Sequence, residues 1–401
     1  MKILLLPVLL LAPWLVRAEP GPDRVVHLET AGAKAMFVLP GGVGHCRGVI
    51  VHVANMKREP SARWTEIARG LGFGHLVMAI DMKQNNRPRK LRDALDPILA
   101  RVAETLGRPE IANAPVASTG HSAGGMGLSA FSPLADRFIT SANDCSWAHN
   151  YEKNPAAKDV PLLFVIGSVP DDFKMLDAIP RDYDPGRRLG ALATLGFEWD
   201  KAHSFGNSGT LAAAWFQSVV PLRLPAEGTA LRTIAEDSGW LGDRATWEGH
   251  DARIAPFADY EGDRGAAVWL PDRAFAYVWR AFQSKNPPVQ LSAATADGSK
   301  RLPAFQPAAA HELDVPAGSA LKLGLDIRQA TPIASVRFFL RDQVLGAAET
   351  EPWTFAWENV PAGAHVVFAE VETSDGQRIV TNPALILARE ARGQTDVTPA
   401  P

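Results

Sequence analysis

The sequence predicts an α/β chain: a doubly wound, mostly parallel sheet followed by an all-β sandwich. Two patterns and one bulk property carry that expectation. From residue 48 to 220, short continuous apolar runs alternate with segments whose apolar residues recur at helical spacing, which calls for parallel strands covered by helices on both faces. After residue 286 the periodicity changes to two, in short runs separated by turns. At 401 residues and 46% hydrophobic content, the chain is long enough to bury two cores.

The N-terminus, "MKILLLPVLLLAPWLVRAEP", reads as an export signal over residues 1–18, with Val16 and Ala18 at the −3 and −1 positions of a cleavage site. Its apolar run contains Pro7 and Pro13 and falls short of the about 20 residues that a bilayer span needs, so no stable membrane insertion is expected after cleavage. The expected address is secreted or periplasmic. Residues 19–285 then form one domain. "DRVVHLET" and "AKAMFVLPGG" open it as a hairpin. "GVIVHV" is a strand buried on both faces. "SARWTEIARGLG" is a helix with Ser61 in capping position, and "GHLVMAID" is a second buried strand. A helix over 88–106, the strand "APVAST", and a helix from Gly125 to Phe131 follow. "FITSAND", "VPLLFVIG" and "LATLGFEW" are strands, and "SGTLAAAWFQSVV" is a helix.

Residues 226–285 are rich in tryptophan and end in an amphipathic helix, so they read as an appendage on the α/β core. Residues 286–390 carry "LKLGLDI", "IASVRFFLR", "QVLGAA", "WTFAWENV", "HVVFAEVE" and "RIVTNPALILA" at about ten-residue intervals, the signature of a β-sandwich. Trp353 and Trp357 alternate on one strand and are expected to face its core. Residues 391–401 are expected to be a disordered tail.

A net charge of −3 provides no basic excess with which to neutralise a phosphate backbone or dock on anionic lipid, so nucleic acid is not an expected partner. Export would place Cys46 and Cys145 in an oxidising compartment, but the elements put them toward opposite ends of the sheet, and a disulfide is not expected. The aspartates of "EDSGWLGDRATWEGHDARIAPFADYEGDRG" lack calcium-loop spacing, and no metal is expected. "DMKQNNRPRK", 81–90, reads as a solvated loop. Among Trp199, Trp215, Trp240, Trp247, Trp269 and Trp279, core packing is the commoner use and stacking on a substrate ring the alternative.

The chemistry sits at Gly120-His121-Ser122-Ala123-Gly124, where a buried strand breaks sharply into a helix. A serine hydroxyl is a poor nucleophile unless a base takes its proton and the backbone holds it clear of its neighbours. A strand–serine–helix bend does the second job, and bulk two residues to either side would clash, hence the two glycines. Ser122 is the expected nucleophile. His203, just past the strand 192–199, is the expected base, because a histidine there points into the crevice at the strands' C-terminal ends. The acid that orients it should leave the preceding strand: Asp171, with Asp172 as the alternative and Asp144 or Asp177 remaining open. The oxyanion hole takes the backbone amide of Ala123 and a second amide from Ala54 or Asn55.

With Ser122, Asp171 and His203 in that order, residues 25–285 resemble the α/β-hydrolase family in its secreted esterase and lipase branch. The resemblance implies hydrolysis of an ester or similar acyl compound without metal or organic cofactor. Many relatives carry His-Gly where this chain has His52-Val53. Residues 287–390 resemble the bacterial immunoglobulin-like domains appended to secreted polysaccharide-degrading enzymes. The two resemblances together imply a small-molecule or polysaccharide-linked ester substrate, with acetyl or feruloyl esters favoured. A lipase, polyester hydrolase or peptidase on the same fold is the second reading, and a non-catalytic glycan-binding protein is the third.

Overall fold

The computed structural model describes residues 21–30, 33–55, 60–80, 87–134, 136–146, 151, 155–169 and 176–398. The leader expected at 1–18 therefore lies outside the described residues, as do residues 81–86 of the polar loop. Eight strands of the first domain are β1 (Asp23–Thr30), β2 (Ala33–Leu39), β3 (Val49–Asn55), β4 (Gly74–Ile80), β5 (Val116–His121), β6 (Phe138–Asp144), β7 (Leu162–Gly167) and β8 (Ala193–Glu198). They pair in the order β1-β2-β4-β3-β5-β6-β7-β8. β1 and β2 form the antiparallel hairpin and β2 meets β4 antiparallel, while every pair from β4 onward is parallel. Strand burial follows the apolar runs: Val49, Ile50 and Val51 are all at 0% exposure, as a strand covered on both faces requires.

Among the described residues, six helices accompany the sheet: α1 (Ala62–Leu71), α2 (Arg87–Leu106), α3 (Met126–Phe131), α4 (Asp184–Arg188), α5 (Ser208–Arg223) and α6 (Arg273–Gln283). α2 packs with α3, and α5 packs with both α1 and α6. Ser61 occupies the N-cap of α1 in extended conformation, but its side chain makes no capping bond, which corrects the expected role. The appendage forms a small antiparallel sheet of Trp240–Gly242, Ile254–Pro256 and Val268–Leu270. Trp215, Trp269 and Trp279 are fully buried in the core, each donating its indole N–H to an oxygen. Cys46 and Cys145 are buried and are not joined in a disulfide.

The C-terminal strands form two sheets. One is Val289–Thr295, Leu321–Ile327 and Phe355–Trp357; the other runs Glu312–Pro316, Ala384–Arg389, Gly363–Thr373, Ile333–Leu340 and Gln343–Ala348. Val289, Leu323, Phe338, Trp357 and Val367 pack between them. The larger sheet is buried on its other face too: Val366, Phe368, Leu385 and Leu387 join the same hydrophobic cluster as the first domain. α1, α5 and α6 all contact the long strand Gly363–Thr373. The helices on that side therefore lie between two sheets. Gln394–Val397, expected to be disordered, instead adds a parallel edge strand to β1, with Val26 opposite Val397. Among the described residues, no helix is long and apolar enough to cross a membrane.

Candidate active site

β5 ends at His121 in extended conformation, and Ser122 turns the chain at φ 54, a left-handed backbone that a side chain normally avoids. A tight turn over Ser122–Gly125 then leads into α3. The two glycines do what the bend requires. A Cβ on Gly120 would stand 2.5 Å from the backbone of Gly124, and one on Gly124 would stand 2.4 Å from the carbonyl oxygen of Val53. Neither contact is tolerable, so the elbow closes on itself and on β3 only with glycine at both places.

His203 stands in the loop after β8, and its Nε2 lies 2.7 Å from Ser122 Oγ. The expected nucleophile and base, 81 residues apart in the chain, are in hydrogen-bonding contact. Asp171 and its alternative Asp172 lie outside the described residues. Asp144, at the end of β6, is engaged elsewhere: its Oδ1 accepts from Lys201 Nζ at 2.6 Å. Asp177 is exposed to solvent. Ala123 follows the nucleophile at the start of the turn, and Ala54 and Asn55 end β3, the strand paired with β5 through Val53 and Gly120.

Lys201, Glu198 and Asn207, which the sequence did not single out, hold the His203 loop together with Asp144. The Lys201 side chain is at 0% exposure and lies 2.6 Å from Asp144 and 3.1 Å from Glu198, both at strand ends. Those two carboxylates hold the ammonium charged well above its ordinary range, against the cost of burial. Burial pushes the Glu198 carboxyl up, with Lys201 opposing. At the far end of the loop, Asn207 donates Nδ2 to the Pro383 carbonyl at 2.8 Å and accepts from Thr210 Oγ1 at 2.6 Å. A lysine two residues before a histidine reads as solvated in sequence. Only the fold brings Asp144 to it, from 57 positions upstream.

His121 packs its ring 4.2 Å from that of Phe205 and 5.2 Å from that of His203. Burial, with Lys201 and His203 nearby, pushes His121 below the usual histidine range despite Asp144 at 4.0 Å, so its ring is held neutral. His121, Asp144 and Cys145 bring nitrogen, oxygen and sulfur within 4.8 Å of one another. A metal ion there would have to share Asp144 with the buried Lys201 ammonium, an unfavourable pairing of cations.

No family model matches the chain, and no curated protein does. Solved structures similar to it include a cold-adapted esterase from an Arctic intertidal metagenomic library, in a zinc-bound form, at 14% identity and TM-score 0.32, covering 48% of this chain and 91% of that one. Another is the protein EstE5 soaked with p-nitrophenyl butyrate, at 18% identity and TM-score 0.30, covering 47% and 79%. A third is the set of fibronectin(III)-like modules of Clostridium thermocellum CbhA, at 25% identity and TM-score 0.18, covering 19% and 82%.

Proposed function

We propose that this chain is an exported serine hydrolase of the α/β-hydrolase type that cleaves carboxylic esters. The observation that supports this most directly is Ser122 Oγ at 2.7 Å from His203 Nε2, on a bend whose left-handed backbone at Ser122 is the strained geometry that exposes a nucleophile. His203 takes the hydroxyl proton as Oγ bonds to the ester carbonyl carbon. The tetrahedral oxyanion is met by the backbone N–H of Ala123 and by that of Ala54 or Asn55. The imidazolium then gives its proton to the departing alcohol. Water repeats the sequence on the acyl-enzyme and releases the acid. Asp171, or Asp172, accepts from the imidazole and holds its tautomer. No metal or organic cofactor takes part in this scheme. Acetyl and feruloyl esters carried on polysaccharides are the favoured substrates.

A fluorophosphonate probe tests the reading. The wild-type protein is expected to be labelled, and Ser122→Ala and His203→Ala are not. Hydrolysis of p-nitrophenyl acetate should fall by at least a thousandfold in both. Labelling that persists in Ser122→Ala, or its absence in the wild type, would refute the mechanism.

A further inference from the structure

A cavity of about 300 Å³ lies beside the elbow, between β3, β5, β6 and β7 and a roof made by α1 and α5; neither Ser122 nor His203 is on its wall. His52, Thr119, Ala142 and Leu163 form its floor, and Trp64 and Ala212 its roof. The lining reaches Gly120 and His121, immediately before Ser122, and Phe205 and Gly206, just beyond His203. The opposite rim belongs to the C-terminal sandwich, at Ala308 and Ala310. Both alanines are exposed and Phe205 is 50% exposed, so the cavity opens between the two domains.

We propose that the sandwich is part of the substrate site: Ala308 and Ala310 frame the entrance of a pocket that receives the compact apolar or aryl acyl arm of the ester. This rests on the serine-hydrolase reading. Size and chemistry choose the guest. A dry cavity of about 150 Å³ lined by aliphatic and aromatic side chains takes up benzene, so twice that volume accommodates a substituted phenyl ring or a medium-length acyl chain. Ser61, Arg63 and Ser208 bring polar groups to the lining, where a ring substituent can meet them.

The rim is rigidly tied to the catalytic loop. The buried His311, one residue past Ala310, has its backbone N–H 3.4 Å from Asn207 Oδ1, and Asn207 ends the His203 loop. Glu312 accepts from two nitrogens of Arg63, at 2.6 and 2.7 Å, tying the sandwich to α1. Ala308 itself is held at φ 61, a conformation that an alanine keeps only when its surroundings impose it. A loop fixed this firmly sets an entrance width.

The test narrows the entrance and reads acyl-size selectivity. Ala310→Trp acts at the exposed rim, and Ala212→Leu fills the roof from α5. The ratio of kcat/KM for p-nitrophenyl octanoate, and for p-nitrophenyl benzoate, to that for p-nitrophenyl acetate is expected to fall at least tenfold in both variants, since one or two methylenes of lost fit are worth that much. An unchanged ratio in both overturns the proposal while fluorophosphonate labelling leaves the hydrolase reading intact. If the wild type neither labels nor hydrolyses any of these esters, that reading fails separately. The pocket is then judged by titration calorimetry of benzoate and octanoate against Ser122→Ala. Binding that disappears in Ser122→Ala/Ala310→Trp sustains the pocket. Absent binding, or equal binding to both proteins, refutes it.

Discussion

Ser122 keeps a φ of 54 at a cost of about 1–2 kcal/mol for a residue with a Cβ, and the surrounding contacts hold it there. Gly124 is among the tightest of them, because a Cβ there would meet the Val53 carbonyl of β3. Gly124→Ala must push the turn away from β3, at about 1–3 kcal/mol of stability. The shift also moves Ser122 Oγ relative to His203 Nε2, so the rate of fluorophosphonate labelling should drop at least tenfold. Gly70 is the control: it lies in α1 with nothing within 4 Å of the position a methyl would take, and Gly70→Ala should gain about 0.5–1 kcal/mol through helix propensity, with labelling unchanged. Urea midpoints and labelling rates measure both. Equal behaviour of the two variants would show that the elbow does not depend on its contact with β3.

At the scale of one element, the loop from Trp199 to Asn207 decides where His203 stands, and Lys201 is its buried peg. Lys201→Met removes the ammonium and leaves Asp144 and Glu198 facing each other with no cation, a loss of about 3–5 kcal/mol. The variant carries a pH signature. Without Lys201 the Glu198 carboxyl moves further above its unfolded value, so the folded chain binds more protons than the unfolded one, and stability falls as pH rises. The deficit against wild type should be greatest near pH 8 and shrink toward pH 5. A deficit independent of pH would mean that packing, not charge, is what Lys201 supplies. The approach of Ser122 and His203 was legible because a strand end and its crevice are local features and the bend is spelled out in five consecutive residues. The sequence could not reveal Lys201 and Asn207, nor pair Asp144 with Lys201, because those roles exist only through partners far along the chain. Strand alternation made the parallel sheet legible in the same way. The edge strand Gln394–Val397 was not, since a short polar segment becomes a strand only where β1 offers it an unpaired edge.

The whole molecule behaves as one unit if its second β-sheet is as deeply engaged as the contacts indicate. "HVVFAEV" and "ALILA" already carry the mark of that: they are continuous apolar runs, whereas a sandwich sheet open to water on one side alternates. Val367, Ala369 and Val371 fill the sandwich, while Val366 and Phe368 between them reach the helices of the first domain. Arg280 of α6 meets Glu370 in the same buried layer, and Gln217 of α5 donates to the Ala364 carbonyl at 2.7 Å. A spacer or freely tethered binding module has no such face, and would melt independently. Calorimetry of the intact chain should therefore show one cooperative transition, with the van't Hoff and calorimetric enthalpies equal. Arg280→Leu sharpens the test: it leaves the buried Glu370 with Arg337 alone, at 2.8 Å, and the lost charged hydrogen bond, worth about 1.5–3 kcal/mol, must in a single unit lower the melting of both domains together. Two resolved transitions, with only the sandwich shifted by Arg280→Leu, would return the C-terminal domain to the status of an appended module and separate its stability from that of the first domain.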